Sequence, residues 1–263
     1  MRLIVVGPGR AGGSIALAAE AAGHEVVGVL TRHDDESRWP SLSWDTDLPE
    51  ADVVLIAVRD EAIAEVASRI SPNTGNVGVV AHLSGFTPVM ALREIQVRGT
   101  AIGGFHPLKS LPDPETGSRA LAGAFVGIDG DPLGVDVLNH FASTLGMEPF
   151  RLDDAARPAY HAAAAAAANF VVTALAVSAD LYESAGIDPR VSRPLVEGVV
   201  ANVFEKGPDA SLTGPIARGD IETVVGHLEA AHEVSEYVGR QFRLMAEATT
   251  IRAGREEDLH RWK

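Results

Sequence analysis

Two groups of residues in this 263-residue chain have types and spacing suited to chemistry. The first is Gly7-x-Gly9-x-x-Gly12, which follows the apolar run 2–6 and opens a helical stretch over 14–22 that closes at Gly23. A glycine turn between a strand and a helix bares backbone N–H groups and the positive end of the helix dipole, and that combination holds phosphate. Gly7 lets the chain turn sharply, Gly9 admits a pyrophosphate against the backbone, and Gly12 lets the helix pack close to the strand. Pro8, Arg10 and Ala11 fill the loop, and Arg10 is itself placed to reach a phosphate. The second group is built on histidines: His82 and His106 end apolar runs, and His161 lies in a helical stretch. Imidazole titrates near neutral pH and is the commonest proton carrier in enzymes.

The end of the second apolar run bears on which dinucleotide the glycine turn would hold. An acid there would hydrogen-bond the ribose 2′-OH of NAD, but the chain has Thr31-Arg32. A hydroxyl beside a forked, always-charged guanidinium suits the 2′-phosphate of NADP(H). Asp34, Asp35 and Glu36 follow directly and compete for Arg32.

The elements that must position these groups follow from hydrophobic patterning. Apolar runs at 2–6, 25–30, 52–58, 77–82, 100–105 and 124–128 alternate with helical segments. Runs so apolar predict strands buried on both faces, as in a parallel sheet. Beyond Asp153 only helical patterns remain. Asp153 or Asp154 caps a long helix through His161, Asn169, Leu175 and Leu181 that Gly186 ends. A second helix covers 189–205 before Gly207-Pro208, 212–216 is a loop, and Asp220 caps a third helix. A last helix covers 233–248, and the charged tail after Gly254 is expected to fray. The chain thus divides into an α/β domain, 1–150, and an all-helical one, 151–263. On a regular helix residues 161, 165 and 169 share a broad face, so His161 and Asn169 can look into one cleft.

Composition narrows the classes of function. The net charge is -14 and acids exceed bases in both halves, which leaves no basic face for nucleic acid. Cysteine is absent, so disulfides, thiolate metal sites and thiol catalysis drop out, and no metal site is expected. The alanine run at 162–168 is flanked by His161 and Asn169, with Asp180 and Glu183 soon after. It is therefore expected not to span a membrane, and the start of the chain shows no signal-peptide pattern, which makes cytoplasm the default.

Gly-Pro-Gly-Arg-Ala-Gly (7–12), Leu-Ile-Ala-Val-Arg-Asp (55–60), His-Leu-Ser-Gly (82–85), Phe-His-Pro-Leu-Lys-Ser (105–110) and Leu-Thr-Gly-Pro-Ile-Ala-Arg-Gly-Asp (212–220) form a set. Over nearly the whole chain it resembles the Rossmann-like proteins related to ketopantoate reductase, pyrroline-5-carboxylate reductase and 6-phosphogluconate dehydrogenase. Within that group it is most similar to a bacterial family of largely unassigned function, some members of which are linked to ketopantoate reduction. The resemblance implies a doubly wound Rossmann sheet for NADP(H), then a helical domain like the C-terminal domain of 6-phosphogluconate dehydrogenase. It implies that Val58 and Asp60 pass beside the cofactor and that Ser84 bonds the nicotinamide amide. His82, Lys109, Thr213 and Arg218 are then expected toward substrate. Ketopantoate reductases carry a catalytic lysine on the first helix of the second domain, with asparagines one and two turns on; this chain has His161, Ala165 and Asn169 there. His161 is accordingly the expected proton donor, Asn169 its orienting partner and His106 the next candidate. The implied activity is NADPH-dependent reduction of a small 2-oxo acid, with ketopantoate the most specific candidate. Reduction of a cyclic imine of the pyrroline-5-carboxylate type, or non-catalytic NADP binding by a regulator, are the alternatives. The resemblance and the close-packing alanine helix together imply a homodimer formed through the helical domain.

Overall fold

Seven strands form one sheet in the computed structural model, which describes residues 1–32 and 37–262. They are β1 (Arg2–Val6), β2 (Glu25–Leu30), β3 (Ala51–Ile56), β4 (Val77–His82), β5 (Ala101–Pro107), β6 (Phe125–Gly130) and β7 (Glu148–Arg151). Their order across the sheet is β2-β1-β3-β4-β5-β6-β7. The first five are mutually parallel, β6 runs antiparallel to β5, and β7 pairs parallel with β6. The all-parallel expectation therefore fails at the far edge. β7 is a further departure: Glu148-Pro149-Phe150-Arg151 has neither alternation nor a continuous apolar run, and its proline suits an edge.

Helices α1 (Arg10–Ala21), α2 (Ile63–Ile70), α3 (Arg93–Val97), α4 (Pro114–Ala120) and α5 (Pro132–Thr144) accompany the sheet. Successive residues of one strand feed opposite layers, as the period of two requires. Leu3, Val53 and Val79 pack with Ile15, Phe105 and Phe141, whereas Ile4, Val54 and Val80 pack with Ile63, Ile70 and Ile102. Since β1 lies between β2 and β3, the order reverses beside it, and the loop leaving β1 opens at that switch point.

The long helix expected after Asp153 forms in three stretches. A tight turn at Asp154–Ala156 leads into α6 (Arg157–Ala165), a π-helical turn covers Ala166–Phe170, and α7 runs over Val171–Ser184. Asn169 sits in the π turn, so the α-helical spacing that placed it on the face of His161 does not hold. The compact units of the chain are Met1–Ala165 and Ala166–Lys263, a later division than residue 150. The reason is local: Arg157 is fully buried and bonded to the Ser84 carbonyl in the loop after β4, which holds α6 to the sheet unit. Asp154–Ser184 is, among the described residues, the one helix long and apolar enough to cross a membrane by length and composition.

The second unit continues with α8 (Arg193–Lys206), the short α9 (Pro208–Ser211) and α10 (Pro215–Arg218), then α11 (Ile221–Val234) and α12 (Glu236–Arg252). Asp220 caps α11 as expected, accepting from Thr223 N at 3.2 Å. Ser235 breaks the helix expected over 233–248, its hydroxyl capping α12 through Val238 N at 3.1 Å. Part of the expected loop at 212–216 instead starts α10. The tail does not fray. Asp258 receives Arg255 Nε at 2.8 Å and Arg261 Nη1 at 2.9 Å, and Trp262 is buried against the cluster of Val224, Leu228 and Ala246. Truncating that side chain opens a cavity in a small core. Trp262→Ala should lower unfolding free energy by about 3 kcal/mol in urea titration; an unchanged midpoint would mean the tail contributes nothing.

Candidate functional site

The glycine turn is shaped as its spacing requires. Gly7 has φ +86°, and a Cβ there would lie 2.8 Å from the Ala57 carbonyl oxygen. A Cβ on Gly12 would run into the Gly7 carbonyl and come within 2.8 Å of Ala57 Cβ. Around Gly9, by contrast, a Cβ would meet nothing within 4 Å, so this position faces open space at the start of α1. The first turn of α1 contains no acid and its cap residue, Gly9, has no side chain to bond the free N–H groups. Those donors and the helix dipole are available to an anion. Arg10 is exposed in the same turn, Ala11 packs on the sheet core, and Val58 Cγ1 is 3.2 Å from the Cβ position of Gly7.

A cavity of about 380 Å³ adjoins this turn, lined by Gly7, Pro8, Gly9, Thr31, Arg32, Ser37, Arg38 and Trp39. Arg32 is exposed there, and the Thr31 carbonyl accepts from Trp44 Nε1 at 2.8 Å. Asp34, Asp35 and Glu36, the expected competitors for Arg32, lie outside the described residues. Arg38 and Trp39 are not anticipated from the strand-end pattern. Glu20 of α1 holds both, accepting from Trp39 Nε1 at 2.9 Å and pairing with Arg38 Nη2 at 3.0 Å. The signal that could have found them is a second arginine next to an aromatic residue, six positions after Arg32. Thr31, Arg32 and Arg38 fit an anionic ligand, and the open backbone at Gly9 fits its phosphates.

Farther along the same carboxyl edge, the loop after β4 is tied down by a polar network. Ser84 Oγ donates to Asp60 Oδ2 at 2.7 Å and accepts from the N–H groups of Phe86, 3.0 Å, and Thr87, 2.8 Å. That fills one donor and two acceptor positions, so the hydroxyl has no capacity left for a nicotinamide amide. Asp60 is the exposed member of the pair. His82 is fully buried and its Nδ1 accepts from Ser84 N at 3.2 Å. The expected substrate contact of His82 is thereby replaced by a supporting role. Burial, and then the Arg157 charge, push its pKa down to about 4.

His106 is the penultimate residue of β5, beside that loop. Its Nδ1 shares a 2.7 Å hydrogen bond with Tyr160 OH of α6, and a Cβ on Gly85 would touch its ring at 2.8 Å. Exposed His161 lies 6.1 Å from both the His106 and Phe86 rings, centroid to centroid. Burial, the His161 charge and then the Arg157 charge lower the His106 pKa to about 4, while burial raises Tyr160 to about 12. Asp60, Ser84, His82, His106 and His161 thus converge on one sheet edge. Lys109 is exposed beyond β5. In the second unit, Asn169 is exposed in the π turn, Thr213 is exposed before α10, and Arg218 is exposed at the end of α10. Tyr160 is a further residue that sequence reasoning missed; no spacing rule marks it, since only the path of α6 brings it to His106. Among the described residues no group of three or more His, Asp or Glu is placed to hold a metal.

A mostly parallel sheet with a glycine turn at its switch point, followed by a helical unit, defines the Rossmann class of architecture. Residues 124–249 match the family described as Domain of unknown function (DUF2520), from β6 through most of α12. No curated protein sequence matches the chain. Among solved structures, a candidate NADP oxidoreductase from Bacteroides fragilis is similar with TM-score 0.79 and 21% identity, over 95% of this chain and 98% of that one. A protein from Thermotoga maritima follows with TM-score 0.69 and 24% identity, over 97% and 99%. An imine reductase from Myxococcus stipitatus in complex with NADP+ has TM-score 0.68 and 15% identity, over 99% and 95%. At these identities the likeness establishes the fold.

The buried histidines make stability depend on pH. Both folded pKa values lie near 4, below the ordinary 6.5, so the unfolded chain binds more protons between those values. Their stabilisation is complete above about 6.5 and is lost as pH falls toward about 4, with up to about two protons taken up on unfolding. The urea midpoint should fall through that window. His82→Asn should reduce the slope by about one proton; an identical slope in wild type and variant would contradict the burial argument.

Proposed function

We propose that this chain is an NADPH-dependent reductase of a small molecule bearing a polarised C=O or C=N bond. The observation that carries the reading is a phosphate-fitting glycine turn on the same carboxyl edge as an imidazole cluster. The glycine turn, Thr31, Arg32 and Arg38 would hold NADPH, which supplies a hydride when bound. Reduction builds negative charge on the heteroatom, and a proton donor must stand within reach. His161 suits that role: it is exposed, and it lies beside a His106 held neutral at pH 7. Asp60 and Val58 would flank the nicotinamide end. Asn169, Lys109, Thr213 and Arg218 remain proposed substrate contacts.

A small 2-oxo acid of the ketopantoate type is the first substrate reading. A cyclic imine of the pyrroline-5-carboxylate type is the second, and one observation favours it. The exposed carboxylate of Asp60 stands at the site, while the Arg157 guanidinium is already bonded to Asp154 and the Ser84 carbonyl. That balance suits a substrate that becomes cationic. The proposal includes cytoplasmic localisation and a homodimer, the latter supported by exposed Phe170, Val172, Leu195 and Phe204 in the second unit.

NADPH should bind at least about tenfold more tightly than NADH, worth about 1.4 kcal/mol. Arg32→Ala should remove most of that margin and leave NADH affinity nearly unchanged. Equal affinity of the wild-type chain for both, by calorimetry at low salt, would refute the assignment. His161→Ala should lower turnover by two to four orders of magnitude, roughly the range of general acid catalysis, and near-normal turnover would transfer the role elsewhere. Sedimentation at micromolar concentration should give twice the 27.6 kDa chain mass; a monomer mass would refute the dimer.

A further inference from the structure

We propose that Tyr160 fixes His106 as the Nε2–H tautomer, so that His106 donates a hydrogen bond to the substrate heteroatom and the site takes a carbonyl oxygen in preference to an iminium nitrogen. The inference rests on the reductase reading and decides between its two substrate classes.

The geometry begins with the 2.7 Å bond between Tyr160 OH and His106 Nδ1. A phenol is the stronger acid of the two partners and an imidazole nitrogen the stronger base, so the O–H donates and Nδ1 accepts. Burial keeps the phenol protonated, with a pKa raised to about 12, and keeps His106 neutral, with a pKa near 4. Neutral imidazole has one N–H and one bare nitrogen, so an Nδ1 that accepts places the hydrogen on Nε2. Packing aims the hydroxyl: the Tyr160 ring meets Phe150 at 5.8 Å and stands edge-on to His106 at 5.4 Å and 89°. The Nε2 edge lies over Gly85, where a Cβ would sit 2.8 Å from both Cε1 and Nε2. Among the described residues, Nε2 bonds no protein group and is not an enclosed atom. The charged and titratable groups around the ring are His161, Arg157 paired with Asp154, and Asp60 bonded by Ser84.

A neutral N–H donor strengthens its bond as charge develops on a carbonyl oxygen. Bound NADPH would supply the hydride to the carbonyl carbon, the C=O π pair would move to oxygen, and oxygen would take a proton from His161, so that the carbonyl becomes an alcohol and the cofactor NADP+. An iminium nitrogen has no lone pair to accept from His106, so the same N–H would oppose it. His106 is then a catalytic residue and Tyr160 a positioning residue.

Long-range ¹H–¹⁵N NMR of the full chain, with His106 assigned by His106→Gln, tests the tautomer without any substrate. A bare Nδ1 and a protonated Nε2 at pH 7 are expected, collapsing to a tautomer mixture in Tyr160→Phe. A protonated Nδ1 in the wild type overturns the proposal, and this readout stands even if Tyr160→Phe does not fold. In kinetics on a panel of oxo acids, Tyr160→Phe should lower kcat on the order of tenfold with KM within about twofold. Turnover of cyclic imines without turnover of oxo acids also overturns it. Failure of the reductase reading has its own signature: no heat of NADPH binding, with the tautomer signal unchanged.

Discussion

One buried guanidinium organises the reaction end of the sheet unit. Arg157 is fully enclosed, bonds Asp154 at 2.7 Å and the Ser84 carbonyl at 3.0 Å, and lies against Gly104, where any Cβ would collide with it. A charge taken out of water persists only when paired, so these bonds are obligatory once α6 docks. Asp154 extends the link by accepting Val89 N at 2.9 Å. The start of the long helix is thereby pinned to the ends of β4 and β5. Tyr160 and His161 follow three and four residues later, one helical turn on, and so arrive together at His106. Burial first, and then this positive charge, lower the pKa of His82; at His106 the charge adds to burial and to His161. The structural anchor therefore also contributes to the protonation state of the site.

How much of this the sequence discloses depends on whether the determining contact is local. The glycine turn and Asp220 cap are legible because their chemistry depends on residues a few positions apart. Six of the seven strands are legible because a strand inside the sheet must carry apolar side chains. β7 is not, because an edge strand is released from that demand. The unit boundary falls later than composition suggests because Arg157, a residue that looks solvated in a list, is the most buried large side chain of its helix.

Side-chain roles were less legible than elements. Ser84 stands where a cofactor contact was expected and His82 where a substrate contact was, yet the Ser84 hydroxyl and His82 Nδ1 are taken up within the protein. His82 Nε2 and Arg157 Nη2 are enclosed without a partner among the described residues. Only three-dimensional neighbours decide such cases. Tyr160 and Arg38 show the converse: ordinary in sequence, they gain meaning from His106 and Glu20 across 54 and 18 positions.

The Glu20–Arg38 pair also bears on how fast a phosphorylated ligand can arrive. Arg38 is neutralised before any ligand approaches, and Trp39 shares the same carboxylate. The positive field of the cavity beside the glycine turn is therefore left to Arg32 and the helix dipole, within a chain of net charge -14. A polyanion meets repulsion at a distance and attraction only on contact, the reverse of electrostatic steering. Diffusional encounter should consequently quicken as added salt shortens the Debye length, even while salt weakens the contacts that hold the ligand afterwards.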